Sequence, residues 1–135
     1  MKARDLMTSN PECVTADDTI QRAAQIMRDR DVGAVPVVDD RSSMRLAGVI
    51  TDRDIAIRHV AEGHKGDEVV RQHMSSNVRS VSPDASSDEV LNTMRDAKVR
   101  RVPVVENERL VGIIAQADIA TDRQIGDRKV GETVE

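Results

Sequence analysis

The sequence contains no Phe, Tyr or Trp among its 135 residues. A core must therefore be built from Val, Ile, Leu, Ala and Met, and a planar ligand would lie between aliphatic side chains because no ring can stack on it. Cysteine is nearly absent too. The single Cys13 excludes an internal disulfide and a multi-thiolate metal site.

Long apolar runs are also missing, and none approaches the length of a bilayer span. No apolar signal region follows the basic residues after Met1. We therefore expect a cytoplasmic protein without a membrane partner.

The formal net charge is −4, and the basic residues are spread along the chain, which argues against a nucleic-acid partner. Hydrophobic residues make up 39% and charged residues 33% of the chain, as is usual for folded proteins. The length suits one compact domain or two very small ones that share a core.

One stretch occurs twice, as a Val-Pro-Val-Val run followed by a variable tip and a Gly-containing apolar run. Pro36 and Pro103 are 67 residues apart, whereas Asp54 and Asp118, after the tip, are 64 apart. Units of this size are too small to bury a core alone, so the two copies are expected to pack face to face. The predicted boundaries are a first repeat at 1–61, a linker at 62–67, a second repeat at 68–123 and a flexible tail at 124–135.

Each copy is predicted to fold in the order β-α-β-β-α, which places the chain in the α+β class. Asp17 or Asp18 is expected to cap the first long helix. A second helix is predicted from Asp52 to about Ala61, with Ile55 and Val60 facing inward.

This doubled unit, with its Val-Pro-Val-Val strand and Gly-Val-Ile-Thr-Asp-Arg-Asp segment, resembles the cystathionine β-synthase (CBS) domain pair, or Bateman module. It is similar to stand-alone bacterial pairs, some of them hypoxic-response proteins. The resemblance implies tandem repeats related by a pseudo-two-fold axis and a homodimer shaped as a disc of four repeats. It also implies adenosyl ligands in two clefts between the repeats: AMP, ADP or ATP, and less often S-adenosylmethionine or NAD.

Family positions can be transferred to this chain residue by residue. The aspartate that bonds both ribose hydroxyls corresponds to Asp54 and Asp118, since an ionised carboxylate is an acceptor-only group. The hydroxyl residue three places earlier is Thr51 in the first repeat, but the second repeat departs from the pattern with Ala115.

The resemblance assigns the primary cleft to residues from both repeats: Thr51, Asp54, Ser80, Val81, Ser82, Arg100 and Arg101. The two arginines can hold phosphate through charge-assisted hydrogen bonds, whereas the equivalent Gly33 and Ala34 carry no charge. The secondary cleft is assigned Val14, Thr15, Arg53 and Asp118. It is expected to be weaker, or selective for a ligand with less phosphate.

Other interpretations stay open at this point. The two aspartates could be simple helix caps, and the arginine pair could be solvated. An enzyme would need a nucleophile and base or a metal cluster, yet His59, His64 and His73 match no recognisable motif and are expected to be solvated, so neither catalytic nor metal-binding residues are predicted. The predicted function is a ligand sensor that signals to an unknown regulated protein by conformational change. The alternative is a dimerisation scaffold with empty clefts.

Overall fold

The predicted β-α-β-β-α order is present in the first repeat of the computed structural model, which describes residues 1–64 and 67–119, and in the second repeat the first strand is reduced to a single bridge at Val81. Two short elements come first, α1 (Ala3–Leu6) and β1 (Thr8–Ser9). The first repeat continues with β2 (Val14–Thr15), α2 (Ile20–Arg30), β3 (Ala34–Val38), β4 (Leu46–Thr51), α3 (Asp52–Asp54) and a π-helix (Ile55–Val60). The second contains a 3₁₀ helix (Val70–Gln72), α4 (Ser87–Ala97), β5 (Arg101–Glu106) and β6 (Arg109–Ala115), after which residues 116–119 are helical. The α+β class is confirmed.

The described residues form two compact units. The first-repeat unit comprises residues 10–64, 67–78 and 107–110, and the second-repeat unit comprises residues 1–9, 79–106 and 111–119. Each unit thus combines the sheet and long helix of one repeat with the leading segment of the other. The boundaries proposed from the repeat stay predictions, and the tail at 124–135 and linker residues 65–66 lie outside the described residues.

Strand register shows the duplication within each unit. In the first-repeat unit, Val14 pairs with Val37 in parallel, so β2 lies beside the central β3. In the second-repeat unit, Val81 pairs with Val104 in the same parallel sense. Both residues of the second pair follow their counterparts by the 67-residue spacing seen in the sequence. The repeat therefore extends from residue identity to hydrogen-bonded register.

The leading segments complete the sheets. Thr8 pairs antiparallel with Ile113 of β6 in the second-repeat unit, which gives the strand order β1-β6-β5. Ser75 makes the equivalent antiparallel bridge to Val49 of β4 in the first-repeat unit. Each last strand is thereby covered by a neighbour along one edge.

The N-cap of helix α2 lies one residue beyond Asp18, the later of its two predicted caps. Thr19 is the N-cap, and its hydroxyl accepts a hydrogen bond from the Arg22 backbone N–H at 3.1 Å. Asp18 instead accepts from the Thr15 backbone N–H at 2.8 Å, so the prediction of an aspartate cap is wrong. The helix buries Ile20, Ala23, Ile26 and Met27 against Val35, Val37 and Ile50 of the sheet.

The segment after β4 turns a different face towards the core from the one predicted. Ile55 packs against the core, but Val60 is 64% exposed, so its predicted inward orientation is wrong. His59 takes the buried position and is 3% exposed. The π-helical pattern of hydrogen bonds, for example from the Ala61 N–H to the Ala56 carbonyl at 2.9 Å, widens the turn and changes which residues share a face.

Among residues 1–64 and 67–119, no helix has both the length and the apolar character needed to cross a bilayer.

Candidate functional site

Thr51 and Asp54 form a reciprocal capping box where β4 ends. The Thr51 hydroxyl accepts from the Asp54 backbone N–H at 3.0 Å, and the Asp54 Oδ2 accepts from the Thr51 backbone N–H at 3.0 Å. The Asp54 side chain is 12% exposed. This arrangement holds a carboxylate in one orientation at the start of a helix, where negative charge is favoured.

The other carboxylate oxygen of Asp54 has a weaker partner. Arg58 Nε, one helical turn later, lies 3.8 Å from Asp54 Oδ1. Oδ1 therefore retains capacity to accept hydrogen bonds from a ligand, while Oδ2 is held by the backbone.

Asp118 holds the equivalent position with half of this arrangement. Its Oδ2 accepts from the Ala115 backbone N–H at 3.1 Å. Ala115 has no hydroxyl to return a bond to the Asp118 N–H, and Asp118 is exposed. The departure from the family pattern at residue 115 thus leaves the second aspartate less restrained than the first.

The first-strand residues assigned to the clefts divide into buried and accessible groups. Val14 and Val81 are buried within their sheets, whereas Thr15 is half-buried. Ser80 and Ser82 are exposed, and the Ser82 hydroxyl accepts from the Asp84 backbone N–H at 3.3 Å. The serines and Thr15 can therefore offer polar groups to a ligand, while the two valines can contribute only main-chain groups or an apolar surface.

The arginine pair lies at the start of β5. The Arg100 carbonyl accepts from the Gln116 backbone N–H at 2.8 Å, which places Arg100 beside the start of the last helix of its own repeat. Arg100 is exposed and Arg101 half-buried. Arg95, Lys98, Arg100 and Gln116 line a depression of about 270 Å³ in the second-repeat unit. The convergence of the arginine pair with Asp54 on one ligand stays a prediction.

Arg53 is exposed, and its backbone N–H donates to Asp52 Oδ1 at 2.8 Å. Its predicted contribution of phosphate charge to the secondary cleft stays a prediction.

The expectation that all three histidines are solvated is wrong for two of them. His59 is 3% and His73 is 7% exposed, and only the His64 side chain, at 41%, is substantially open to solvent. Glu68 lies among them, and hydrogen bonding from His73, assisted by His64, lowers the pKa of its carboxyl despite the opposing effect of desolvation. Sequence reasoning missed this cluster. Three histidines and a glutamate within fifteen residues were the available signal, but the spacing matched no known motif.

The sequence model of the CBS domain family matches residues 3–59 and 70–123. Hypoxic response protein 1 of Mycobacterium tuberculosis is 42% identical over 119 residues, covering 87% of this chain and 82% of that protein. A crystal structure of Hypoxic Response Protein I with two coordinated zinc ions has a TM-score of 0.83 and 41% identity, covering 90% of this chain and 98% of the other.

A CBS domain pair from the protein MJ0100 was solved in complex with 5′-methylthioadenosine and S-adenosyl-L-methionine. It has a TM-score of 0.75 and 28% identity, covering 95% of this chain and 98% of the other.

Proposed function

Because the chain belongs to the CBS domain family, we propose that it is a regulatory module that binds an adenosyl ligand and transmits binding to a partner protein. The observation that carries this proposal is the similarity, over 95% of the chain, to a CBS pair solved with two adenosyl compounds. A ligand can drive such a response only if it binds two arrangements of the module with different affinities.

The chain's own geometry supports a ribose-binding role for Asp54. Its carboxylate is oriented by Thr51 before any ligand arrives, so little side-chain entropy would be lost on binding. An acceptor-only group with one oxygen still available is suited to the hydroxyl donors of a ribose.

Charge supports a nucleotide over an uncharged or cationic adenosyl compound. Arg100 and Arg101 are adjacent guanidinium groups, which form bidentate hydrogen bonds with phosphate. We therefore propose AMP, ADP or ATP as the ligand class, with S-adenosylmethionine and NAD as weaker candidates.

Calorimetric titration of the untagged protein with AMP, ADP, ATP and S-adenosylmethionine tests this proposal. Asp54→Asn keeps the shape and one acceptor but removes the charge, and at least tenfold weaker nucleotide binding is expected. Asp52→Asn is the matched control, since Asp52 is an exposed carboxylate two residues away, and it should bind as the wild type does. Failure of every adenosyl compound to bind folded protein would contradict the proposal.

Co-purified nucleotide offers a second test. The chain has no aromatic residues, so its own absorption near 260 nm, the purine maximum, is small. A band there in freshly purified protein, removed by unfolding and filtration, would reveal bound purine. We further propose that the module binds its ligand without chemical turnover, and detection of nucleotide products after incubation with pure protein would contradict that.

A dimerisation scaffold is the second candidate function, and one observation favours it. Ile57 is 48% and Val60 64% exposed on the helix after β4, which is an unusual amount of aliphatic surface for a solvated helix. We propose that a second copy of the chain covers it. Sedimentation should show a dimer for the wild type and a monomer for Ile57→Glu. Dimerisation without any adenosyl binding would favour the scaffold over the sensor.

A further inference from the structure

Three polar side chains of the first-repeat unit converge, although they come from separate elements. His59 belongs to the π-helix, Glu68 precedes the 3₁₀ helix, and His73 follows it. His59 Nδ1 lies 3.3 Å from His73 Nε2, and Glu68 Oε2 lies 3.3 Å from the first nitrogen and 3.2 Å from the second. One nitrogen from each histidine and one carboxylate oxygen thus form a nearly equilateral triangle.

Protons can make attractive hydrogen bonds along only two sides of this triangle. Each ring nitrogen carries either a hydrogen or a lone pair in the plane of the ring, and an ionised carboxylate only accepts. If both nitrogens donate to the same Glu68 oxygen, two N–H groups of like polarity lie side by side 3.3 Å apart and share no hydrogen bond. If one nitrogen has a lone pair, that lone pair faces the carboxylate oxygen. With Glu68 ionised, at least one side of the triangle therefore lacks a hydrogen bond in every protonation state.

A cation removes the conflict because all three atoms can direct lone pairs towards it. The centre of a triangle with sides of 3.2–3.3 Å is about 1.9 Å from each corner, and zinc bonds to histidine nitrogen and carboxylate oxygen are about 2.0–2.2 Å long. Zn²⁺ would sit just above the plane of the triangle. Tetrahedral ligands at that bond length are about 3.3 Å apart, which is the spacing observed.

His64 lies beside this triangle but is not within ligand distance of all three of its atoms. Its Nδ1 lies 3.1 Å from the Glu68 carboxylate, and its ring centroid is 5.1 Å from that of His73. Beyond the π-helix, a backbone hydrogen bond from the His64 N–H to the His59 carbonyl at 3.0 Å connects these two histidines. Wide helical turns of this kind recur at functional sites.

We propose that His59, Glu68 and His73 bind one divalent first-row transition-metal cation, with Zn²⁺ preferred and the fourth coordination position left open. Two imidazoles and a carboxylate favour zinc over the all-oxygen coordination of Mg²⁺ and Ca²⁺. The half-exposed His64 borders a depression of about 540 Å³, also lined by His59, Ile55 and Val60, which provides a path for the ion from solvent. The bound ion would connect the π-helix to the segment that carries Ser75 towards β4.

Zinc titration of untagged, chelator-treated protein in competition with a chromophoric zinc indicator tests the site. About one Zn²⁺ per chain is expected. Glu68→Gln and His73→Gln should each bind at least tenfold more weakly, since loss even of groups that support a metal ligand costs 10–100-fold in affinity. Glu62→Gln is the matched control, because it changes an exposed carboxylate in the same connection and should bind zinc as the wild type does.

The variant His64→Ala tests whether the protein supplies three or four ligands to the metal. His64→Ala should still bind about one Zn²⁺ per chain, and substituted Co²⁺ should keep the intense visible bands of tetrahedral coordination, because three protein ligands and a water make a four-coordinate site. Wild-type Co²⁺ protein that shows only the weak bands of an octahedral ion would overturn the proposed geometry.

Unfolding of the wild type provides a measurement that does not depend on the variants folding. Far-ultraviolet circular dichroism should show a higher unfolding midpoint with Zn²⁺, which binds the folded state, and no change with Mg²⁺. No zinc binding by folded protein, or wild-type affinity in both Glu68→Gln and His73→Gln, would overturn the assignment. The outcome is independent of adenosyl binding, which Asp54 and not these residues is proposed to support.

Discussion

Thr51 and Asp54 bond each other twice, through the hydroxyl to the Asp54 N–H and through the carboxylate to the Thr51 N–H, each at 3.0 Å. In the other repeat, Ala115 and Asp118 share only the second of these bonds. The chain therefore contains its own comparison between a complete capping box and a half-complete one.

Thr51→Ala should lower the free energy of unfolding by about 0.5–2 kcal/mol, the usual cost of losing an N-cap hydroxyl. It should also weaken adenosyl binding, because Asp54 loses the partner that restrains it. Urea unfolding and calorimetric titration measure the two effects. The reciprocal change, Ala115→Thr, should stabilise the protein slightly by completing the second box. Equal destabilisation by both changes would contradict this account of the helix starts.

Gly48 and Gly112 are equivalent in sequence but meet different neighbours. A Cβ on Gly48 would overlap the backbone carbonyl oxygen of Ser75, whereas one on Gly112 would meet the side chain of Met7. A methionine side chain can move to relieve a clash, but a carbonyl held in a strand bridge cannot. We therefore expect Gly48→Ala to be destabilising by about 1–3 kcal/mol, as for overpacked cores, and Gly112→Ala to be destabilising by less. Urea unfolding of the two variants measures the difference, and a larger cost at Gly112 would contradict it.

The α+β class and the doubled order of elements could be predicted from the sequence because each sequence pattern occurs twice in the chain. Val14 lies in a two-residue strand and Val81 in a single bridge, and each would be a weak prediction alone. They hold equivalent positions relative to Pro36 and Pro103, and both pair in parallel with the strand that carries the proline, at Val37 and Val104.

Local choices among adjacent residues could not be predicted in the same way. Asp17, Asp18 and Thr19 are all acceptable caps, and the helix begins after Thr19 because that residue has the extended conformation, with φ −75° and ψ 154°. Ordinary helical periodicity cannot predict the face of Ile55–Val60, because a π-helix hydrogen-bonds to the fifth residue and not the fourth. His59 and Val60 therefore differ in burial from the expectation.

The histidine cluster depends on tertiary structure. His59 and His73 are fourteen residues apart across a connection without regular periodicity, so only the packed first-repeat unit brings their nitrogens within 3.3 Å. The sequence contains the chemistry of a metal site, but its spacing does not indicate one.

The interaction of Asp84 with Arg4 predicts that the stability of the folded protein depends on pH. A hydrogen bond from the Arg4 guanidinium, with its positive charge and that of Lys2, lowers the pKa of the Asp84 carboxyl below its ordinary value. Because the folded-state pKa is lowered, this carboxylate contributes stability above its unfolded-state pKa, and the contribution is lost as pH falls through the folded-state value. Asp84→Asn should lower the urea midpoint at pH 7, and the difference from the wild type should shrink by pH 3. In an Arg4→Gln background, Asp84→Asn should have little effect at either pH, and an undiminished effect there would contradict the assignment to Arg4.

Cys13 should react slowly with thiol reagents in the folded protein. Its side chain packs with Val38 and Leu110 and the residue is 6% exposed, and burial raises the pKa of the thiol. Since the thiolate is the reactive form, both a smaller thiolate fraction and poor access slow the reaction. The release of the coloured thiolate from a disulfide reagent should be slow at pH 8, accelerate as pH rises, and become rapid in denaturing urea. Rapid modification in native conditions would show that the packing around Cys13, Val38 and Leu110 opens readily.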